Sequence, residues 1–125
     1  MNNDINLKPS QAARHPVLDS IRFSPIATVV SDPTKPDNPL IAVNEAFCAL
    51  TGYSEDEVIG RNCRFLRGPD TENGQTEKLR TAVYGQHPAL AELINYRKDG
   101  SPFRNAVMIA PLFDDNGNLE LFVGS

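Results

Sequence analysis

The amino-acid sequence predicts an α+β domain: two short strands, three helices and three further strands, with the strands in one antiparallel sheet. Three observations carry this. Cap residues punctuate the stretch from 44 to 60, with Asn44 ahead of Gly52 and then Ser54 paired with Glu57. Beyond Pro88 the apolar residues change to an alternation of period two. Asp99-Gly100 and Asn116-Gly117 divide that region into three runs, and such dipeptides are strong hairpin signals.

Taken in order, residues 1–8 are polar and are expected to be disordered. Across 9–22, Ala12, Ala13, Val17, Leu18 and Ile21 recur at roughly helical spacing, with Ser10 as a cap and Pro16 as an interruption. This segment reads as a helix covering the core, or as a dimerisation or signal-transmission element. Ile26–Ser31 is a strand ended by Asp32-Pro33, and three prolines make 33–39 a loop. Leu40–Val43 is the second strand, Glu45–Thr51 a helix, and Ser54 with Glu57 the capping box of another. The third helix runs from about Gly74 to Tyr84 and closes at Gly85. Ala89–Arg97, Pro102–Leu112 and Leu119–Val123 are the last strands. The order of strands in the sheet is not visible at this level.

The 125 residues suit one domain with one core. A net charge of −4 gives no footprint for nucleic acid or an anionic membrane. Apolar runs such as Ile26–Val30 are too short to span a bilayer, and the first residues lack a secretory pattern. A cytoplasmic location is expected. The two cysteines, Cys48 and Cys63, form no Cys-x-x-Cys pair and the two histidines lie apart, so no metal site is expected. Cys48 sits among apolar helical residues as a structural thiol, and His87 precedes Pro88 in a loop with no sign of haem ligation.

Two groupings point to a ligand. Alternation places Asn95 and Asn105 on one sheet face, close together across the Asp99-Gly100 turn. Under the helices those amides lie in apolar surroundings, where an unpaired one costs roughly 1–3 kcal/mol. Either they bond each other or lie at the sheet margin, or a flat heterocycle with a polar edge satisfies them. In the second grouping, Asn62, Arg64 and Arg67 flank Cys63, with Arg80 on the next helix. Such arginines are commonly a solvated face, but their planar forks also suit a phosphate. With a reactive cysteine and buried amides beside them, they suggest a phosphorylated aromatic cofactor.

The run Gly60-Arg61-Asn62-Cys63-Arg64-Phe65-Leu66-Arg67-Gly68-Pro69-Asp70-Thr71 resembles the signature of LOV (light-oxygen-voltage) domains, flavin-binding blue-light receptors of the PAS superfamily, here of a bacterial kind. The likeness covers roughly 25–125, with Asp37-Asn38-Pro39, Thr51-Gly52-Tyr53, Asn95-Tyr96 and Phe122-Val123-Gly124. It implies a PAS/LOV fold: a five-stranded antiparallel sheet with short helices enclosing a flavin on one face. On that reading 23–125 form the LOV/PAS domain and 9–22 an N-terminal cap helix.

Position by position, the resemblance makes Cys63 the residue that bonds reversibly to flavin C4a after blue light. It gives Asn62 the ribityl chain, Arg64 and Arg80 the phosphate of FMN, and Asn95 and Asn105 the polar ring edge. Val29, Leu40, Phe47, Leu66, Leu93, Val107, Ile109 and Phe122 become apolar lining. A neutral thiol is enough for Cys63, because the excited flavin is the electrophile and proximity supplies the rest. Two departures stand out. The family usually has Gln where this chain has Arg67, which either strengthens the phosphate clamp, the favoured reading, or turns into solvent. The family's sensing glutamine falls at 126, beyond Ser125, so a longer parent protein is expected.

The resemblance implies a photosensor rather than an enzyme, signalling through the sheet and flanking helices to a partner or a fused effector such as a histidine kinase. The opposite face carries Ile94, Tyr96, Met108, Ala110, Leu121 and Val123 by alternation, a surface for residues 9–22 or for a homodimer. One rival is a flavoenzyme, but no general base lies near the cysteine segment. The other is a light-insensitive, flavin-binding PAS module for redox sensing or dimerisation, against which Cys63 argues.

Overall fold

The computed structural model describes residues 15–125. The expectations for 1–8, for Ser10 as a cap and for the first part of the 9–22 helix lie outside the described residues. The first described helix, α1 (Pro16–Arg22), begins at Pro16, the residue expected to interrupt it. Proline at the first helical position gives up an N–H that has no helical partner anyway. His15 Nδ1 caps the helix by accepting from the Val17 N–H at 3.1 Å.

Strand β1 is Val29–Ser31, shorter than the Ile26–Ser31 expected. Side chains take the bonds that a ladder would have used. Ser24 Oγ accepts from the Ile26 N–H, and Asn44 Oδ1 accepts from the Thr28 N–H. Strand β2 (Leu40–Val43) and helix α2 (Glu45–Thr51) fall where the sequence placed them. Asn44 Oδ1 also accepts from the Phe47 N–H at 3.0 Å, and Gly52 closes α2 in the left-handed region at φ 81°. In α3 (Glu55–Val58) both halves of the Ser54–Glu57 capping box form. A 3-10 turn over Cys63–Leu66 follows, capped by Asn62.

Helix α4 (Asn73–Gly85) does not end on a left-handed glycine as expected; Gln86 takes that role at φ 57°. Gly85 serves instead to admit the His87 ring, because a Cβ there would lie 2.6 Å from His87 Cδ2. Strands β3 (Ala89–Tyr96), β4 (Pro102–Phe113) and β5 (Leu119–Gly124) form consecutive hairpins.

The sheet runs β2-β1-β5-β4-β3, antiparallel throughout. Strand β1 therefore pairs with both β2 and the chain's last strand, with Val30 opposite Val123. On the exposed edge, β3 is kept from pairing outward by side chains. Gln75 Oε1 accepts from the Glu92 N–H and Glu72 Oε1 from the Ile94 N–H, while Thr71 Oγ1 donates to the Ile94 carbonyl.

Two apolar clusters lie on opposite faces. Leu40, Phe47, Val58 and Leu66 pack on the helical side. On the other, α1 lays Val17, Leu18 and Ile21 against Val30, Leu121, Leu112 and Val123. Helix α1 thus covers one end of that face, while Leu90 and Met108 stay exposed. Tyr96, expected on this face, instead turns over the edge. Its ring fills the space beside Gly68, and its hydroxyl accepts from the Asp70 N–H at 2.9 Å.

Candidate functional site

Between the sheet and α2, the 3-10 turn and α4 lies a cavity of about 450 Å³, within the common range for small-molecule sites of roughly 300–1,000 Å³. Every site residue singled out in the sequence lines it. Val29, Leu40, Leu93, Val107, Ile109 and Phe122 form the apolar floor, and Asn95 and Asn105 its polar corner. Phe47 closes one side from α2, Leu66 and Cys63 another from the 3-10 turn. Asn62, Arg64, Arg67 and Arg80 gather at one end.

Period two puts the sheet residues on one face, and β3 pairs Leu93 with Asn105 and Asn95 with Phe103. The two asparagines are thus diagonal neighbours, and Asn105 Nδ2 donates to Asn95 Oδ1 at 2.9 Å. Asn95 is 4% exposed, and its Nδ2 donates to the Leu66 carbonyl at 3.3 Å. The mutual bond anticipated as one alternative therefore forms, yet it leaves capacity on the cavity side. Asn105 Oδ1 accepts no hydrogen bond among the described residues, so the pair still offers a ligand an acceptor.

Cys63 opens the 3-10 turn, half-buried against the Leu40–Phe47 cluster. Burial pushes its thiol up to about 11, and the nearby Arg67 charge offsets this only in part. At neutral pH the group is therefore a neutral thiol.

The cationic end is less uniform than its sequence suggested. Arg64 grips Asp37 with both arms, Nη1 to Oδ2 and Nη2 to Oδ1, each at 2.6 Å. This bond holds the Asp37 carboxyl below its ordinary range. Asn62 Nδ2 donates to the Asp37 carbonyl at 2.7 Å, while its Oδ1 caps the turn by accepting from the Arg64 N–H. Arg80 Nη1 reaches Glu77 Oε1 at 2.9 Å. Arg67 has no ion pair among the described residues. Its pKa is lowered, first by burial and then by repulsion from Arg64 and Arg80.

The sequence assigns no role to Asp37 and Asn38. Both take positive φ, at 68° and 49°, which these residue types tolerate better than most. Asn38 Oδ1 is buried at the cavity wall without a hydrogen-bond partner among the described residues. The signal available was the Asp-Asn pair after Pro36, which reads as a turn but not as a wall. Leu79 and Val83, one turn apart on α4 beside Arg80, also line the site; their spacing of four was the visible clue.

A phosphorylated, hydroxylated flat heterocycle fits this donor set. The asparagine corner offers hydrogen-bonding groups, Asn38 Oδ1 an acceptor without a partner among the described residues, and the arginines positive charge at the far end. Among the described residues, Asp37 is the acidic side chain lining the cavity, and it is held by Arg64.

Comparisons with known proteins agree with this geometry. Residues 25–125 match a PAS domain family. The chain is 45% identical over 108 residues to blue-light-activated histidine kinase 1 of Erythrobacter litoralis, covering 86% of this chain and 30% of that protein. It is 51% identical over 96 residues to phototropin-2 of Oryza sativa subsp. japonica, covering 77% of this chain and 11% of that one. The chain therefore spans less than a third of either relative. Among solved structures, a light-oxygen-voltage domain from work on its mechanism with a flavin analogue superposes with TM-score 0.84 at 41% identity. That match covers 90% of this chain and 84% of the other.

Proposed function

We infer that this chain, which belongs to the PAS domain family and within it to the LOV class, senses blue light through FMN held in the cavity and a reversible bond between Cys63 Sγ and flavin C4a. The observation that carries the reading is the placement of a neutral, half-buried thiol and an incompletely satisfied asparagine pair on the walls of one cavity. When bound, the flavin supplies absorption of blue light and the electrophilic ring carbon.

The chain's residues do the rest. Cys63 brings a nucleophilic sulfur together with its own proton, so no separate base is needed to keep it ready. Asn95 and Asn105 orient the polar ring edge, Asn62 and Asn38 meet the hydroxylated chain, and Arg64, Arg67 and Arg80 face the phosphate. Apolar residues such as Leu66, Val107 and Phe122 exclude water from the thiol.

Output follows from the strand order. Strand β5 carries Phe122 into the cavity and Leu121 into the α1 contact, so adjacent residues face the site and the helix. A change in hydrogen bonding at the site can bias α1 packing only through a difference between two states. A fused effector, such as the histidine kinase named in the Erythrobacter relative, or a second copy on the open Leu90–Met108 face would read that difference. This reading places the chain in the cytoplasm, where Cys48 and Cys63 stay reduced.

The test is an absorption spectrum of the purified chain before and after a blue flash, beside Cys63→Ala. Reversible bleaching of the flavin band in the wild type alone is expected. A flavin band that ignores light would favour the redox-sensing or dimerisation module; a chain that cannot take up FMN would sink the cofactor assignment.

A further inference from the structure

The turn that carries Cys63 is held differently at its two ends. At the near end Asn62 caps it and ties it to the 33–39 loop, through bonds that lie at the surface. At the far end the anchors come from three consecutive residues of β3. Asn95 Nδ2 donates to the Leu66 carbonyl in the interior. The Tyr96 ring packs on Gly68, and its hydroxyl accepts from the Asp70 N–H at 2.9 Å. Ile94 is reached through Thr71, a half-buried residue outside the cavity wall. Thr71 Oγ1 donates to the Ile94 carbonyl at 2.5 Å and accepts from the Gly68 N–H at 3.0 Å, using both capacities of one hydroxyl. The Thr71 N–H donates back to the Gly68 carbonyl at 3.1 Å, so residues 68–71 close on themselves.

Resting on the flavin reading, we propose that Thr71 is a positioning residue for Cys63: its hydroxyl pins the far end of the cysteine turn to β3 and so sets where the thiol stands relative to the ring. The strand is a common reference for both reactants. Asn95 faces the cavity with the group that meets the ring edge, and the same side chain holds the Leu66 carbonyl. Ile94 and Tyr96 on either side of it hold Gly68 and Asp70. A 3-10 turn rises about 2 Å per residue, so Cys63 stands only one turn from Leu66. A shift where the turn meets β3 therefore reaches the sulfur, and a misplacement of about 1 Å can lower a reaction rate about 100-fold. The other side chains on this edge act elsewhere. Glu72 and Gln75 accept from the Ile94 and Glu92 N–H groups and so join the start of α4 to the strand, leaving the cysteine turn untouched.

The test follows Thr71→Val, which keeps the branched shape and removes the hydroxyl, by two readouts. In the first, iodoacetamide modifies the chain in the dark and mass spectrometry follows Cys63 and Cys48 in the same sample. Thr71→Val should raise the Cys63 rate about three- to tenfold, as expected for local opening after loss of one or two hydrogen bonds, while Cys48 on α2 keeps its rate. In the second, the flavin band should bleach at least about threefold less per blue flash, with the dark spectrum unchanged. Thr71→Ser retains the hydroxyl and should restore both. Tyr96→Phe keeps the ring, loses the bond to Asp70 and should shift both readouts the same way by less. Gln75→Ala unseals the edge alone and should match the wild type. The inference is overturned if Thr71→Val bleaches like the wild type, or if Cys48 accelerates as much as Cys63, the mark of a general loss of stability. Should Thr71→Val fail to fold, a wild-type Cys63 rate in Tyr96→Phe overturns it instead. A wild-type chain that holds flavin and ignores the flash overturns the photosensor reading and this inference with it, whereas a bleaching wild type beside an unaffected Thr71→Val overturns this inference alone.

Discussion

Replacing Asn44 with alanine should be among the most destabilising single substitutions in this domain. Its side chain is 3% exposed and joins three segments. Oδ1 accepts from the Thr28 N–H and the Phe47 N–H, both at 3.0 Å, while Nδ2 donates to the carbonyls of Ile21 at 2.9 Å and Ile26 at 2.8 Å. The carbonyls have reserves: Thr28 Oγ1 also donates to Ile26 and the Ser24 N–H to Ile21. The two N–H donors have none described. Loss of the α2 cap costs about 1 kcal/mol, and stranding the buried Thr28 N–H adds about 1–3 kcal/mol. Asn44→Ala should therefore lose about 2–4 kcal/mol, a large share of the 5–15 kcal/mol typical of a domain. Urea unfolding followed by circular dichroism measures this directly. Because Asn44 also anchors the end of α1, the variant should increase hydrogen exchange in 16–22. A loss under about 1 kcal/mol, with α1 exchange unchanged, would refute the reasoning by showing that water replaces the amide at no cost.

Two further outcomes follow from the site. With its thiol held near 11, Cys63 should alkylate with iodoacetamide at pH 8 about 100-fold more slowly than a free cysteine, since only the thiolate reacts. The sign for stability is set by the raised value: the contribution is fully present below the ordinary 9.0 and is lost as pH rises through about 11. Mass spectrometry of the modified Cys63 peptide across pH checks the first statement, and a rate that levels off below pH 9 contradicts it. Gly68→Ala would bring a Cβ to 2.3 Å from the Tyr96 ring, whose hydroxyl is tied to Asp70. A cost of about 1–3 kcal/mol is expected in the same urea assay, and a neutral result would mean that the ring moves freely.

The chain's local chemistry was legible from its residues. Asn44, Gly52 and the Ser54–Glu57 box set helix limits through bonds that span no more than four positions, so neighbours in sequence suffice to read them. Alternation along β3 and β4 likewise placed Asn95 beside Asn105, because a hairpin turn fixes the register of its own strands. The residues around Cys63 were legible as a set for the same reason: they lie within one short turn.

Other features needed the folded chain. Pairing β1 with β5 joins the two ends of the domain, and the energy deciding it comes from packing Val30 against Leu121 and α1, which no local pattern displays. The shortened β1 reflects competition from Asn44, sixteen residues away. Arg64 reads as a phosphate ligand from its neighbours in sequence, and only the fold brings it Asp37 from twenty-seven positions earlier. Sequence determined which groups this protein possesses and how its helices and hairpins begin and end. Tertiary structure decided which charges are matched, which amide is left with a free acceptor and which thiol is withdrawn from water, because each depends on partners that only long-range packing supplies.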